Sequence, residues 1–421
     1  MKVDLIVKNC AEVHTLQGPD RARSGDEMKE TRKIKNGGLA VKGDKIIDVG
    51  PTEEIEQDHD PAKVIDASDK TVVPGFVDPH THLIYAGSRE DELVMKIEGK
   101  SYMEILDQGG GILSTVDSTR GASKGRLEKE AIKRLNVMLS HGTTTAEAKS
   151  GYGLDKINEI KCLEVIKEID KKHPVDLIPT YLGAHSIPPE FDDAEEYIDF
   201  CIDEVIPEIV DRDLAKYCDV FCEKGVFTAA ESKKLLESAK NNDLKVRVHA
   251  DEIENIGCSN MAAKLDAVSA EHLVKTCEED IDMMSKSGTI GILLPGTPFM
   301  LMDNEYSPAR KMIDKGMPIA LATDLNPNCW TESMQMIITL ACLQMKMTPS
   351  EALTAATVNA ARAVGRDDIG ILEEGKKADF IILDIPNHMH LPYHFGVNLV
   401  EEVYKSGERI KQNTYNPVTT C

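Results

Sequence analysis

The stretch VVPGFVDPHTHL, Val72–Leu83, carries the clearest structural signal in this chain. Apolar, strand-forming residues run up to Asp78, and His80 and His82 follow with one residue between them. Residues i and i+2 of an extended strand point the same way, so both imidazoles can face one side. Imidazole nitrogen is a good ligand for Zn²⁺ or Fe²⁺. The stretch therefore predicts a buried strand with a metal site at its carboxyl end.

Beyond this stretch, short apolar segments alternate with segments of helical periodicity. Eight strand candidates fall at 72–78, 143–148, 177–184, 218–222, 245–250, 267–271, 289–294 and 319–323. Helical periodicity is clearest at 127–139, 156–171 and 229–240. This alternation predicts an α/β fold, a (β/α)8 TIM-like barrel, in which chemistry lies at the carboxyl ends of the strands.

Short strand-like segments also lie at both ends of the chain. They are 3–7, 38–42 and 45–49 at the start, and 378–385 and 400–410 at the end. Hairpin turns are predicted at Gly43-Asp44 and Ser406-Gly407. Each set is too small to build its own core. We therefore predict a small composite β-sandwich domain formed by both termini (1–70 and 370–421) around a metal-dependent barrel domain (71–369).

Composition narrows the class of protein. The chain has 421 residues, 41% of them hydrophobic, and a net charge of −23, which argues against a nucleic-acid partner. No secretory signal and no apolar run of about 18 residues is evident, so we expect a cytoplasmic protein without a membrane span. The ten cysteines form no CxxC pair and are expected to be reduced, buried thiols.

Metal-ligating residue types gather at the predicted strand ends. Five of the twelve histidines fall there, together with Glu223 after strand four and Asp324 after strand eight. The five are His80, His82, His185, His249 and His272. Chance does not readily explain this clustering at one mouth of one barrel, so we predict an active site there.

Two sets of motifs carry a family resemblance over nearly the whole chain. PGFVDPHTHL (74–83), VRVHADE (246–252) and LATDLNP (321–327) resemble the amidohydrolase superfamily, metal-dependent barrels with a composite β-sandwich. A second set resembles the imidazolonepropionase family, which hydrolyses 4-imidazolone-5-propanoate to N-formimidoyl-L-glutamate in histidine degradation. Its members are GGGILSTVDSTR (109–120), KSGYGL (149–154), YLGAHSIPPEF (181–191), HADEIENIG (249–257) and LPYHFGVN (391–398).

The resemblance implies one metal ion per subunit, Zn²⁺ or Fe²⁺/Fe³⁺, held by His80, His82, His249 and Asp324. The residue types alone favour the same four, because three imidazoles and a carboxylate suit a borderline cation and leave room for water. Glu223 leaves a second interpretation open, because some relatives use a side chain of strand four to bridge a second metal.

The remaining catalytic roles fall to His272, Glu252 and Asp324. We expect His272 to act as a base or to donate a hydrogen bond to the attacking water or the oxyanion, and Asp324 to accept the proton of the water. Glu252 could shuttle a proton to a ring nitrogen. The alternatives are a structural histidine at 272 and a solvated acid at 252.

The implied substrate carries a propionate, which needs a fixed cation. Arg89 can bind a carboxylate through its fork of N–H groups, although an exposed ion pair with Glu90 or Asp91 is the alternative. In the family pattern Arg89, Tyr152 and His185 contact the substrate, and Glu252 does so as well. The Tyr152 hydroxyl can reach the carboxylate or the ring, with packing as the alternative. His185 can hydrogen-bond the imidazolone oxygen or the propionate, with a purely structural role as the alternative.

The turn after strand eight is also expected to hold substrate or product, through Asn326, Asn328 and Cys329. Many family members have Gly followed by a small hydroxyl residue where this chain has Asn328-Cys329. Asn tolerates left-handed conformations as Gly does, so the turn can survive the change.

The leading hypothesis is therefore a metal-dependent hydrolase that opens a cyclic amide of a small anionic heterocycle at its C–N bond, as a homodimer by family resemblance. An aminohydrolase that deaminates a small nitrogen heterocycle is the alternative, because it uses the same four ligands. A non-catalytic protein on the same barrel would be expected to lack metal ligands, and none is missing here.

Overall fold

The computed structural model describes residues 1–100, 104 and 109–411. Within them the N-terminal part forms five strands of one sheet. These are β1 (Lys2–His14), β2 (Lys33–Lys42), β3 (Lys45–Pro51), β4 (Asp60–Asp66) and β5 (Thr71–Pro74). The β2–β3 hairpin pairs Lys42 with Lys45, which confirms the predicted turn at Gly43-Asp44. The strand β4 and the long extension of β1 were not predicted.

A second, eight-stranded parallel sheet follows. Its strands are β6 (Phe76–Asp78), β7 (Thr143–Lys149), β8 (Asp176–Ala184), β9 (Tyr217–Cys222), β10 (Lys245–Ala250), β11 (Ser269–His272), β12 (Ile290–Leu293) and β13 (Ile319–Leu321). Each strand pairs with the next along the chain. A parallel bridge between Thr81 and Leu325 joins the ends of β6 and β13 and closes the sheet. The predicted barrel is confirmed.

The C-terminal strands return to the first sheet. They are β14 (Phe380–Leu383), β15 (Val400–Lys405) and β16 (Glu408–Arg409). The order of this sheet, β16-β15-β14-β5-β1-β2-β3 with β4 beside β1, interleaves strands from both termini. One composite sheet built from both ends of the chain is therefore confirmed. Residues 412–421 of the predicted sandwich domain lie outside the described residues.

Helices occupy the connections between the barrel strands and flank the sheets. Their bounds are Thr52–Asp58, Glu90–Ile97, Ile112–Gly121, Lys124–Ser140, Lys156–Asp170, Ala194–Phe200, Ile206–Asp211, Ala229–Asn241, Cys258–Lys264, Glu278–Ser287, Gly296–Met300, Ala309–Asp314, Met334–Met345, Pro349–Ala355, Val358–Ala363 and His390–Tyr393. A 3₁₀ turn at Gly25–Lys29 and a π turn at Cys201–Val205 complete them. In the part of the chain that the structure describes, no helix combines the length and apolarity needed to cross a bilayer.

The predicted strand 72–78 is two strands, because the chain changes sheets at Gly75. The Gly75 N–H donates to the Asp379 carbonyl in the composite part, and the next N–H, of Phe76, donates to the Gly142 carbonyl in the barrel part. A Cβ at position 75 would lie 2.4 Å from the Thr144 side chain. Only glycine therefore fits where the backbone passes from one sheet to the other.

The prediction that the cysteines are reduced is wrong for one pair. Cys222, at the end of β9, and Cys258, in the helix after β10, form a disulfide with a Cα–Cα distance of 5.9 Å. Parallel neighbours β9 and β10 bring the two residues together although 36 positions separate them in sequence. Seven other cysteines of the described ranges are free.

A substitution at Phe380 tests whether the strands of both termini share one core. The Phe380 ring stacks on that of Tyr404 at 4.4 Å between centroids, and both side chains belong to one buried cluster with Val7 and Val13 of β1. Phe380→Ala removes this contact and leaves a cavity, so we expect a loss of about 3–5 kcal/mol in the free energy of unfolding. Urea denaturation measures it, with Val64→Ala, 48% exposed, as the control. An unchanged midpoint would contradict a core shared by the two termini.

Candidate metal centre and active site

Four potential ligand atoms converge at the carboxyl end of the barrel. His80 Nε2 lies 3.3 Å from His82 Nε2, which lies 3.4 Å from His249 Nε2. Asp324 Oδ1 lies 3.3 Å from His80 Nε2 and 3.4 Å from His82 Nε2. His80, His82 and His249 form one group of potential ligand atoms within 4.8 Å of one another, and Asp324 forms a second group with His80 and His272. The nitrogens of the first group suit an ion about 2.0–2.1 Å away, the usual zinc–imidazole bond length, and Asp324 Oδ1 lies beside two of them. The structure thus brings together the four residues that the sequence predicted as ligands.

The closure of the barrel brings the ligand residues of its first and last strands together. The Asp324 N–H donates to the His80 carbonyl at 3.2 Å, and the His82 N–H donates to the Leu325 carbonyl at 2.9 Å. These bonds join the segments after β6 and β13, so ligands from the first and last strands become neighbours. The Thr297 hydroxyl donates to Asp324 Oδ2, which leaves Oδ1 to face the imidazoles.

Two buried carboxylates set the proton positions on the ligands. Glu271 Oε2 contacts His80 Nδ1, and Asp219 Oδ2 lies 3.0 Å from His249 Nδ1. A carboxylate only accepts, so the proton of each neutral ring lies on Nδ1, and the Nε2 lone pair is free. Partners of this kind orient metal-ligating histidines in many proteins.

These carboxylates belong to a fully buried ionic layer beneath the ligands. Lys149 Nζ lies 2.7 Å from Asp219, 2.9 Å from Glu147 and 3.1 Å from Glu271. Arg247 lies 3.1 Å from Glu271, and its guanidinium is 4.4 Å from the centre of the Tyr217 ring. Buried charges are tolerated when they are paired in this way. The layer therefore holds Asp219 and Glu271 as anions.

The donor set fits a cation. Asp324 Oδ1 is buried and accepts no hydrogen bond within the described residues, although it faces imidazole nitrogens. Burial and Lys149 both act to lower the pKa of His80, yet Glu271 and Asp324 raise it to about 9, so this position attracts positive charge. Three neighbouring imidazole nitrogens, with an anionic oxygen beside two of them, match the ligands of a borderline divalent ion.

His272 and Glu252 lie beside this centre. His272 Nε2 is 3.6 Å from Glu252 Oε2, and the His272 ring lies 5.3 Å from that of His249. Burial holds the pKa of His272 well below its ordinary value, so its ring is neutral. Burial and then the charges of Asp324 and Glu223 raise the pKa of Glu252 to about 8. A proton donor and a neutral imidazole therefore flank the centre at neutral pH.

Backbone strain is concentrated at the same place. His272 and Asp324 have φ of 70° and 53°, in the left-handed region that non-glycine residues rarely adopt. Such conformations cost energy and persist where the surrounding structure imposes them, which is common in active sites. Here they turn two functional side chains toward the centre.

The residues predicted to contact the substrate lie on the far side of His82. The His185 ring stacks on that of His82 at 4.8 Å, and the Tyr152 ring lies 5.2 Å from His185. Burial raises the pKa of Tyr152 well above its ordinary value, and the nearby charge of Arg89 opposes that rise. His185 Nδ1 donates to the Gly151 carbonyl at 3.0 Å, so Nε2 of the neutral ring can only accept.

Arg89 forms an ion pair, but with Glu92 rather than with Glu90 or Asp91. Its Nε and Nη2 atoms lie 2.8 and 2.7 Å from the two Glu92 oxygens. Arg89 keeps a single terminal nitrogen, Nη1, outside this pair. The pair fixes the direction of the guanidinium beside the site.

Asn326 organises the turn after β13. Its Oδ1 accepts the N–H groups of Asn328 at 2.7 Å and Cys329 at 2.9 Å, and its Nδ2 donates to the Asp324 carbonyl at 2.8 Å. The Asn328 side chain accepts from Lys96, and Cys329 is buried. The turn thus survives with Asn and Cys at 328 and 329, and its two N–H groups are engaged by Asn326.

Glu223 is engaged elsewhere. Its carboxylate accepts the N–H groups of Lys224, Ile253 and Glu254 at 2.8–3.1 Å and so holds the loop after β10. The potential ligand groups found among the described residues do not include it. This geometry favours one metal ion over two.

The residues that support the predicted ligands and the turn after β13 were not predicted from the sequence. They are Glu147, Lys149, Asp219, Arg247 and Glu271 in the ionic layer, Thr297 on Asp324, and Lys96 on Asn328. A signal was available for the first five, because charged residues inside otherwise apolar barrel strands need partners. Thr297 and Lys96 lie in connections and carry no such signal.

The fold and the site define a metal-dependent barrel hydrolase. The model of the Amidohydrolase family matches residues 71–410. An adenosine deaminase from Xanthomonas campestris, solved with bound zinc, superposes with a TM-score of 0.72 over 97% of this chain and 93% of that one. A triazine hydrolase variant gives 0.70 over 96% and 94%. At 18% and 15% identity these two show the fold alone.

Sequence comparison is more specific. The imidazolonepropionase of Alkaliphilus metalliredigens (strain QYMF) is 51% identical over 415 residues, 97% of this chain and 98% of that protein. The imidazolonepropionase of Geobacillus kaustophilus (strain HTA426) is 48% identical over 96% of this chain and 97% of its own length. The chain therefore belongs to the imidazolonepropionase family of amidohydrolases.

A substitution at Asp219 tests whether this carboxylate orients His249 for metal binding. Asp219→Asn removes the negative charge that holds the proton of His249 on Nδ1, so we expect zinc affinity to fall about 10–100-fold. Competition with a chelator measures the affinity, and Asp211→Asn on the exposed surface is the matched control. Equal affinities for the two variants would show that Asp219 does not support the ligand.

Proposed function

We propose that this chain hydrolyses 4-imidazolone-5-propanoate to N-formimidoyl-L-glutamate, a step of histidine degradation. The observation that carries the proposal is the 51% identity to an imidazolonepropionase along essentially the full length of both proteins. The group of His80, His82 and His249, with Asp324 beside His80 and His82, supports it, because opening a cyclic amide at neutral pH requires an activated water.

His80, His82, His249 and Asp324 would hold one metal ion, Zn²⁺ or iron. When bound, the ion supplies Lewis-acid activation of water and of the substrate carbonyl. The anionic Asp324 Oδ1 can accept a proton from the attacking water. Burial alone would raise the pKa of Asp324, but the neighbouring His80 and His82 rings hold it well below its ordinary value, so this carboxylate is ionised at working pH.

The residues on the far side of His82 would bind the substrate. Arg89 Nη1, outside the Glu92 pair, can donate to the propionate, and the Tyr152 hydroxyl can donate beside it. His185 Nε2 can accept a ring N–H of the substrate, because its other nitrogen donates to Gly151. This role replaces a hydrogen bond to the imidazolone oxygen or propionate, which would need a proton on Nε2.

Ring opening requires one proton to reach the leaving nitrogen. Water adds to the ring carbonyl carbon, the bond from that carbon to the amide-like nitrogen breaks, and the new carboxylate becomes the α-carboxylate of the product. With its pKa raised to about 8, Glu252 is protonated at neutral pH and can give its proton to that nitrogen. Neutral His272, 3.6 Å from Glu252, can hydrogen-bond the oxyanion or the water.

Other properties stay predictions. These are a homodimer, a cytoplasmic location, no nucleic-acid partner, and domain limits of 1–70 with 370–421 and 71–369. The substrate of the proposed reaction is a small anionic heterocycle. Deamination of a nitrogen heterocycle is not favoured, because the similarity to an adenosine deaminase is 18% in identity and concerns the fold.

One assay tests the activity. We expect the purified, metal-loaded chain to consume 4-imidazolone-5-propanoate, followed by its ultraviolet absorbance, with N-formimidoyl-L-glutamate formed and no ammonia released. Protein stripped by a chelator is the control and should regain activity with Zn²⁺ or Fe²⁺. Unchanged absorbance alongside ammonia release from another heterocycle would replace the proposal with a deaminase.

Arg89 separates substrate binding from metal binding. Arg89→Ala removes the guanidinium that faces the propionate, so we expect KM to rise about 10–100-fold while bound metal stays at wild-type content. Steady-state kinetics and elemental analysis give the two readouts. The control is Arg126→Ala, which breaks the exposed pair with Glu130. Loss of metal from the Arg89 variant would mean that this residue supports the centre instead.

A further inference from the structure

A second cation lies near Arg89. Lys96 is the penultimate residue of the helix Glu90–Ile97, which begins immediately after Arg89. It is half-buried, and its ammonium donates to the Asn328 side-chain oxygen. This contact joins the connection after β6 to the turn after β13, the two segments that also supply His82 and Asp324.

Lys96 is near the site and near Arg89. Burial lowers the pKa of Lys96 and the positive charge of Arg89 lowers it further, while the negative charge of Glu92 opposes both. Burial raises the pKa of the Cys329 thiol well above its ordinary value; the charge of Asp324 adds to that rise, and the charge of Lys96 opposes it. The ammonium thus lies between Arg89 and the residues that follow Asp324.

Lys96 adds a positive charge beside an ion pair that is already neutral. Arg89 and Glu92 form a two-pronged pair, with distances of 2.8 and 2.7 Å, whose net charge is zero. Glu92 Oε1 also accepts the Gly111 N–H at 2.7 Å, so the pair is fixed to the loop that precedes the helix Ile112–Gly121. Across the ranges that the structure describes, no carboxylate forms an ion pair with Lys96. Arg89, Glu92 and Lys96 therefore carry a net charge of about +1.

We propose that Lys96 binds the substrate carboxylate together with Arg89 and supplies the net positive charge of that subsite. The inference rests on the proposed function for the identity of the carboxylate, a propionate. Arg89 offers Nη1 in a fixed direction. An ammonium has three donors, so Lys96 can keep its bond to Asn328 and still donate to the carboxylate. Asn328 suits this role, because a neutral amide holds the ammonium in place without cancelling its charge.

The competing explanation is that Lys96 only holds the turn through Asn328. The two explanations differ in what they predict for ligands that carry no charge. A cation that binds the carboxylate discriminates an acid from its amide, whereas a residue that shapes the turn affects both ligands equally.

The experiment compares two ligands that differ only in charge. Binding of 3-(imidazol-4-yl)propionate and of its carboxamide to the metal-loaded, full-length protein is measured by calorimetry. For Lys96→Met we expect the preference for the acid over the amide to fall about tenfold, with amide binding unchanged. Lys96→Arg should keep the preference. Lys63→Met, which removes an exposed lysine of β4, is the control for the loss of one positive charge.

Two further variants make the result decisive. Lys96→Gln repeats the test with a polar side chain in case the methionine variant is unstable. Asn328→Ala removes the contact but not the charge, so we expect the preference for the acid to persist. Equal weakening of acid and amide by Lys96→Met, matched by Asn328→Ala, would overturn the inference.

The test also separates this inference from the proposed function. If wild-type protein leaves 4-imidazolone-5-propanoate intact while Lys96→Met still loses the preference for the acid, the reaction is wrong and the anion subsite holds. If wild-type protein hydrolyses this compound and Lys96→Met keeps the full preference for the acid, the role of Lys96 is wrong and the reaction holds.

Discussion

The site depends on the contacts of His80 and His249 with the buried carboxylates of Glu271 and Asp219. These contacts keep a proton on each Nδ1, so both Nε2 lone pairs converge on the point that Asp324 Oδ1 also faces. Two carboxylates in a barrel interior would cost several kcal/mol each if they were unpaired. Lys149, which contacts both, offsets that cost and so maintains the ligand geometry. The geometry of the metal centre therefore depends on a network of ion pairs that is fully buried.

The architecture could be predicted from the sequence because it is periodic. Alternating apolar and helical segments predicted all eight barrel strands, and strand-like segments at both termini predicted the composite sheet. Two features could not be predicted, because they depend on contacts between distant segments. The change of sheet at Gly75 is set by the approach of Thr144, and the Cys222–Cys258 disulfide is set by the neighbouring positions of β9 and β10.

The same distinction applies to the site. Its four proposed ligands were predictable, because each follows or ends a barrel strand and parallel strands share one carboxyl edge. The partners of these ligands come from positions within the strands, where a charge is expected to be rare. Asp219 and Glu271 could have been noticed as acids in apolar strands, but only the structure shows that Lys149 lies between them. Lys96 could not have been found, because its contact with Asn328 joins a helix and a turn 232 positions apart.

The charge of the whole protein constrains how an anionic substrate is recognised. A net charge of −23 opposes the approach of an anion at long range, but salt screens such fields beyond about 8 Å at physiological ionic strength. Attraction must then come from cations in direct contact with the carboxylate. The Arg89 guanidinium is paired with Glu92, whose negative charge cancels most of the positive field of Arg89. Arg89 therefore orients a bound carboxylate more than it attracts it. A second positive group that donates to the same carboxylate would therefore strengthen selectivity for an anion, because its charge is not cancelled by Glu92.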